Sequence, residues 1–441
     1  MDSLARSLAR RAVRFYYPHI EVEFRERLPR EGATLFVANH PNSVMDAPLI
    51  GLVAERPVHF FAKAPLFDLP FLGGVLRELG MVPAYRGADD KSQVRRNLQT
   101  LDAGADWLCR GEAVGIFPEG KSHDKEAVEQ IRSGAARIAW QAVKEGAAVH
   151  VVPLGLNYER KERFRSAVWV RVGEPIDAAA YFREHPEERK AVRTLTEEID
   201  RALRSIVVHL DEPAWEPILS EVEALLDEEP EEILGPVAII EHRKRLANGM
   251  NYFLAVDRSG SEAVAAAMRR HHEDVTSAGL TLDSPILRLG AAPLAWQLLR
   301  RTLWGIVGLV PAIAGTVHHL VPFALTRALA RLVTWQGRTT VAQSRLLIGL
   351  PVYALWYAVV WFLVSRTSVR VAWIWIAAAP LAGLVALQYW GRLRRVFRDW
   401  WHELKMLFRP RELRRLRRDR VELRHKLLQL RQEYRATVEP R

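Results

Sequence analysis

One cysteine, Cys109, stands in 441 residues. That excludes an intramolecular disulfide and any cysteine-rich metal site, and nothing else in the chain requires an oxidising compartment. The sequence also lacks a Gly-x-Ser-x-Gly elbow, a phosphate-cradling P-loop and any spaced set of metal ligands. A serine hydrolase, a P-loop nucleotide-binding protein and a metalloenzyme are therefore unsupported, and no metal or cofactor is expected. The first 20 residues lack the apolar core of a signal peptide. Arg6, Arg10, Arg11 and Arg14 stand there between short apolar steps, the pattern of a basic amphipathic helix lying on a membrane surface over residues 1–20.

What the chain does have is ample apolar material and an uneven charge. It is 49% hydrophobic, enough for two domains and a large core, and its net charge is +11. Residues 212–232 are acidic, while 391–441 are crowded with arginine. That split points to a basic tail facing an anionic surface. Short apolar runs at 33–38, 58–62, 114–117, 149–156 and 168–172 read as strands. The spacing predicts helices over 66–79, 91–110 and 126–145. Such alternation argues for an α/β domain with a mainly parallel sheet, whose strand ends gather ligands.

Four polar clusters follow these strands or sit in turns. The first, at 39–46, reads Asn-His-Pro-Asn-Ser-Val-Met-Asp. His40 and Asp46 suit a base and its orienting partner. On one continuous helix they would stand roughly 120° apart. Pro41 relieves this by letting His40 sit ahead of a helix and fold back toward Asp46 on its second turn. A histidine that only hydrogen-bonds within a polar turn is the ordinary alternative. The second cluster, 80–86, ends in Arg86, a fork for phosphate or simply a solvated arginine. The third is Phe117-Pro-Glu-Gly-Lys-Ser-His-Asp124, where turn chemistry explains Pro118 and Gly120 but not the crowding of Glu119, Lys121, His123 and Asp124. The fourth, 151–158, is an apolar strand interrupted by Pro153 and Gly155, marking close ligand approach or an ordinary bulge.

In this order the four clusters resemble the motifs of the glycerolipid acyltransferase superfamily, over roughly residues 20–210. The wording of His40-Pro-Asn-Ser43, of 117–124 and of Gly155-Leu-Asn-Tyr158 followed by Phe164-Arg-Ser166 is similar to fungal-type glycerol-3-phosphate and dihydroxyacetone-phosphate acyltransferases. One departure stands out: five residues separate His40 from Asp46, where the superfamily usually has four. The resemblance implies that His40 takes the proton of an acceptor hydroxyl as it attacks an acyl thioester, with Asp46 orienting the imidazole. Arg86, Glu119, Gly120, Lys121 and Ser122 would form the acceptor and phosphate site. Pro153 and Gly155 would border the acyl pocket. Ser43 has no nucleophile setting. The adjacent His123 and Asp124 form a weaker candidate pair.

Residues 212–300 read as a charged helical linker or lid. The runs 346–364 and 371–389 are uncharged, 19 residues each and rich in aromatics, the length and composition of a membrane hairpin. Thr302–Thr326 is also uncharged, although Pro311, His318, His319 and Pro322 interrupt it. Were it a third span, the cluster Arg392, Arg394, Arg395 and Arg398 would face away from the catalytic domain, against the positive-inside rule. The expectation for it is a re-entrant or interfacial element. The basic tail, 391–441, carries Leu413, Leu416, Leu423, Leu427, Leu430 and Tyr434 at near-heptad spacing, with Arg420 breaking the seam. It reads as a short coiled coil or a basic helix on anionic lipid; a lipid partner is preferred to nucleic acid.

The sequence thus predicts an integral membrane protein with a domain over 21–211 facing the cytoplasm. That domain would move an acyl group from acyl-CoA or acyl-ACP to glycerol 3-phosphate or dihydroxyacetone phosphate. Acylation of lysophosphatidate is the first alternative, and a non-catalytic membrane scaffold the second.

Overall fold

The structure, a computed structural model, describes residues 4–68, 72–84, 94–226, 235–282, 284–288, 291–332 and 341–438. Arg86 lies outside the described residues. The chain divides into two compact units, one built on Met1–Pro213, Glu229–Asn248 and Gln336–Gln343, the other on Ala214–Glu228, Gly249–Trp335 and Ser344–Arg441.

The first unit runs α1 (Leu4–Tyr16), β1 (His19–Glu23), β2 (Thr34–Ala38), α2 (Asp46–Val53), β3 (Val58–Lys63), α3 (Leu72–Glu78), β4 (Val82–Ala84), α4 (Val94–Cys109), β5 (Ala113–Ile116), α5 (Gly134–Lys144), β6 (His150–Tyr158), β7 (Ala167–Val172), β8 (Ile176–Asp177), α6 (Ala178–Glu184) and α7 (Glu188–Ile206). The strands form one sheet in the order β1-β7-β6-β2-β5-β3-β4, with β8 on β6. All neighbours are parallel except β6 with β7 and β6 with β8. The unbroken apolar run of β2 is explained by its place: it is central, and all five of its residues are buried. On one face Leu35 and Val37 pack with Leu108, Ile138, Leu195, Ile199 and Leu203 from α4, α5 and α7. Each such side chain fully buried stabilises the fold by about 1.5–3 kcal/mol.

One boundary differs from the sequence expectation, for a local reason. The helix expected over 126–145 starts only at Gly134. The backbone donors ahead of it are drawn elsewhere: Val128 N–H donates to His209 Nδ1, Glu129 N–H to Glu119 Oε2 and Arg132 N–H to Pro118 O. Helix α1 forms as expected, but one face docks on the domain. Val13, Tyr16 and Tyr17 are buried, Arg6 donates to Leu79 O and Arg10 to Gly51 O.

The second unit contains α8 (Glu216–Leu226), the end of α9 (Pro236–Val256), α10 (Arg258–Ser277), α11 (Pro285–Arg288), α12 (Ala291–Leu332), α13 (Val341–Ser365), α14 (Val369–Leu407) and α15 (Pro410–Val438). Three stretches, Ile306–Ala330, Leu347–Ser365 and Val369–Gly391, are long and apolar enough to cross a membrane. Thr302–Thr326 is not a chain reversal, because it lies within the continuous helix α12. That helix runs antiparallel beside α14. A Cβ on Gly308 would meet the Tyr389 ring at 2.8 Å, and one on Gly315 would lie 2.0 Å from Ala382 O, so small residues set the close approach. Beside this contact Trp390 Nε1 donates to Thr316 Oγ1.

Part of the tail's apolar seam packs within its own unit. Leu413 and Leu416 of α15 join Val275, Leu280, Leu282, Ile286, Leu287 and Met406 in one buried cluster. Arg420 does not break this seam. It is buried in it, donating to Leu282 O at 2.8 Å and Ala224 O at 3.0 Å.

Candidate active site

Strands β5 and β6 flank β2 and run parallel to it. The residues at or just past their carboxyl ends therefore converge, and these are His40, Glu119 and Tyr158. Asn39 fixes the exit of β2: its side chain donates to Leu156 O and accepts from Leu156 N–H, at 3.1 and 2.8 Å. His40 follows, its imidazole stacked on Phe117 at 4.0 Å between centroids.

His40 Nδ1 lies 2.9 Å from Asp46 Oδ2. Asp46 sits on the first residue of α2, not on a second turn, because a 3-10 turn at Ser43–Met45 intervenes with Ser43 at φ +45°. That turn takes up three of the five intervening residues. Asp46 is fully buried and accepts from protein donors: Asn42 N–H reaches Oδ2 at 2.8 Å and the Tyr158 hydroxyl reaches Oδ1 at 2.7 Å. Burial first, then the Asp46 charge, raises the Tyr158 hydroxyl well above its ordinary pKa, so it stays a donor. Tyr17, also raised chiefly by burial, accepts from Asn42 Nδ2 at 2.6 Å and donates to Lys161 O. With a carboxylate at Nδ1, the proton of a neutral imidazole belongs on Nδ1 and the lone pair on Nε2. Among the described residues none claims Nε2, and the side chain is 18% exposed.

The third cluster closes the site from beneath. A turn joins Gly120 N–H to Phe117 O at 3.0 Å, with Gly120 at φ +70°, a conformation that favours glycine. Glu119, 2% exposed, accepts from His40 N–H at 2.9 Å, from Glu129 N–H at 3.0 Å and closely from His123 Nε2. These contacts tie the Glu119 carboxylate to the backbone of His40 and to the turn that follows it. Lys121 pairs with Glu129 at 2.7 Å and is more than half exposed; Ser122 is half-buried beside it. His123 and Asp124 do not pair with each other, since His123 binds Glu119 and Asp124 lies 2.7 Å from Lys161 Nζ.

Pro153 and Gly155 are buried within β6. A Cβ on Gly155 would lie 2.5 Å from Ile206 O. The missing side chain thus admits the end of α7. The sequence reading did not single out Tyr158, Tyr17, Asn42 or Asn39 as functional. Only strand order, which brings residue 158 beside residue 40, identifies them.

Residues 19–157 match the family model Acyltransferase. Glycerol-3-phosphate O-acyltransferase 2 of Saccharomyces cerevisiae is 32% identical over 162 residues, covering 36% of this chain and 22% of that protein. Glycerol-3-phosphate O-acyltransferase 1 of the same yeast is 28% identical, covering 33% and 20%. The chain thus spans about a fifth of the length of these two relatives. A 1-acyl-sn-glycerol-3-phosphate acyltransferase of Bacillus subtilis is 24% identical, covering 44% of this chain and 90% of that protein.

Proposed function

We propose that this protein, whose residues 19–157 match the family model Acyltransferase, transfers a fatty acyl group from a thioester to the hydroxyl of a phosphorylated glycerol. The observation that carries the reading is the His40–Asp46 pair at the end of the central strand, with Nε2 left to a substrate. Nε2 takes the acceptor's hydroxyl proton, and the oxygen attacks the thioester carbonyl carbon. The carbon–sulfur bond breaks, and the leaving thiolate receives that proton back from the imidazolium. Buried Asp46 stabilises the imidazolium meanwhile. A positioned base of this kind contributes about 10²–10⁴-fold. No covalent enzyme intermediate is needed.

The proposed acceptor is glycerol 3-phosphate or dihydroxyacetone phosphate, and the donor acyl-CoA or acyl-ACP. Lys121 is engaged by Glu129, so Arg86 takes the phosphate in this reading. A lysophosphatidate acceptor is the second reading, favoured by the Bacillus subtilis relative matched over 90% of its length. A non-catalytic scaffold accords poorly with an intact His–Asp pair whose aspartate is buried. The protein is read as a membrane protein from its three apolar helices, and the catalytic domain is proposed to face the cytoplasm. Purified protein offered labelled donor with each acceptor separately tests the reading. His40-dependent lysophosphatidate formation from glycerol 3-phosphate supports it, preference for preformed lysophosphatidate supports the second reading, and no turnover with any acceptor overturns both.

A further inference from the structure

Helix α1 turns one face to the domain, and its solvent face is not polar throughout. Leu8 is 54% exposed and Phe15 59% exposed, two turns apart on the same side of the helix. Arg11 and Arg14 are exposed beside them. The β6–β7 loop meets this edge. The Phe164 ring packs on Phe15 and Tyr16, with centroids 5.2 and 5.4 Å apart. Arg165 N–H donates to Tyr16 O at 2.8 Å, and the Tyr16 hydroxyl to Glu162 O at 3.1 Å. Arg165 holds a left-handed backbone, φ +65°, a conformation that persists in a non-glycine residue only where its surroundings impose it. Arg160, Arg163 and Arg165 are exposed on this loop, against two acids. Glu159 is mostly turned inward, to Ser166 and Ala167 N–H, and reaches Arg163 only at 4.0 Å.

Helix and loop thus make one surface, two exposed apolar side chains bordered by arginines. We propose that this surface docks into the headgroup layer of an anionic bilayer, with Leu8 and Phe15 entering the acyl boundary and the arginines meeting lipid phosphates. Charge complementarity and the exposed apolar pair together select lipid: an interfacial helix of this type gains from both, whereas an acidic peptide would leave Leu8 and Phe15 in water. The surface is also wired to the catalytic pair. Tyr17, next after α1, holds Asn42, whose N–H donates to Asp46; Lys161 of the loop holds Asp124 and donates to His123 O. Docking would therefore fix the site at the lipid interface, where a long-chain donor and product reside.

The inference stands apart from the acyl-transfer reading, and its test reads depth and not turnover. The full chain, with Cys109→Ser, is reconstituted in nanodiscs with a single cysteine introduced by Leu8→Cys, Phe15→Cys or Arg193→Cys. Each is labelled with an environment-sensitive fluorophore and exposed to lipids spin-labelled near the headgroup. Arg193 is a solvent-facing control on α7, 72% exposed in its side chain. Several-fold stronger quenching at positions 8 and 15 than at 193, in anionic discs and diminished by the double variant Arg11→Gln/Arg163→Gln, is the expected result. Quenching at 8 and 15 no greater than at 193 overturns the proposal. Equal quenching in anionic and uncharged discs overturns the assignment to anionic lipid.

Discussion

The backbone N–H of His40 donates to Glu119 Oε1 at 2.9 Å, joining two turns that stand 79 residues apart in the chain. The link is possible because β2 and β5 are parallel neighbours and end side by side. Glu119 carries it further, accepting from His123 and from Glu129 N–H. The position of the proposed base therefore depends on a carboxylate from another turn.

Glu119→Gln tests that dependence. The amide keeps the shape but offers one acceptor oxygen in place of two. We expect kcat to fall about 10²-fold, the scale of a small misplacement of a reacting group, with the acceptor KM changed by less than about threefold. Initial rates across both substrates separate the two constants. A loss confined to the acceptor KM would instead make Glu119 a binding residue.

Acid stability should carry the signature of Glu129. Hydrogen bonds from Lys121, then Lys125, hold its carboxyl at about 2, below the ~4.3 of an unfolded glutamate. The unfolded chain therefore takes up this proton first as pH falls. The stabilisation is complete above about 4.5, declines from there and is gone below about 2. Glu129→Gln should be less stable than the wild type near neutral pH, and the two curves should converge in that window. Both lysines are more than half exposed, so the gap should be modest and shrink in about 1 M salt. Thermal unfolding against pH measures it, and a gap constant with pH would contradict the assignment.

Membrane topology gives a third expectation. Antiparallel α12 and α14 return the chain to its starting end, and there Leu282, Ile286 and Leu287 share one cluster with Met406, Leu413 and Leu416. An even number of crossings must separate α10 from α15. Single cysteines from Arg270→Cys and Arg411→Cys, each in a Cys109→Ser background, should react with an impermeant reagent from the same side of sealed vesicles. Labelling from opposite sides would refute the packing.

Much of the first unit was legible in the sequence because its signals are local. Buried strands read as apolar runs, and the turn residues Pro118 and Gly120 mark the end of β5. His40 and Asp46 were identifiable as a pair, but not the 3-10 turn between them, since nothing local shows that Ser43 adopts positive φ. The surroundings of Glu119 and Gly155 were not legible, for a common reason. What fills the space around them, His40 and Glu129 in one case and Ile206 in the other, comes from distant segments. Arg420 looked like a break in a seam because the carbonyls it binds, Leu282 and Ala224, lie 138 and 196 residues away. Hydropathy located the three apolar helices, yet it does not encode which of them pack together. The pairing of α12 with α14 rests on Gly308, Gly315 and the residues facing them.

The most direct test of the account is His40→Ala. Purified wild type and variant, in lipid, would be offered labelled acyl donor and glycerol 3-phosphate, with thermal unfolding followed in parallel. The account predicts turnover lowered by about 10²–10⁴-fold, the share of a positioned general base, with the unfolding transition retained. A folded variant that still turns over at the wild-type rate would contradict it.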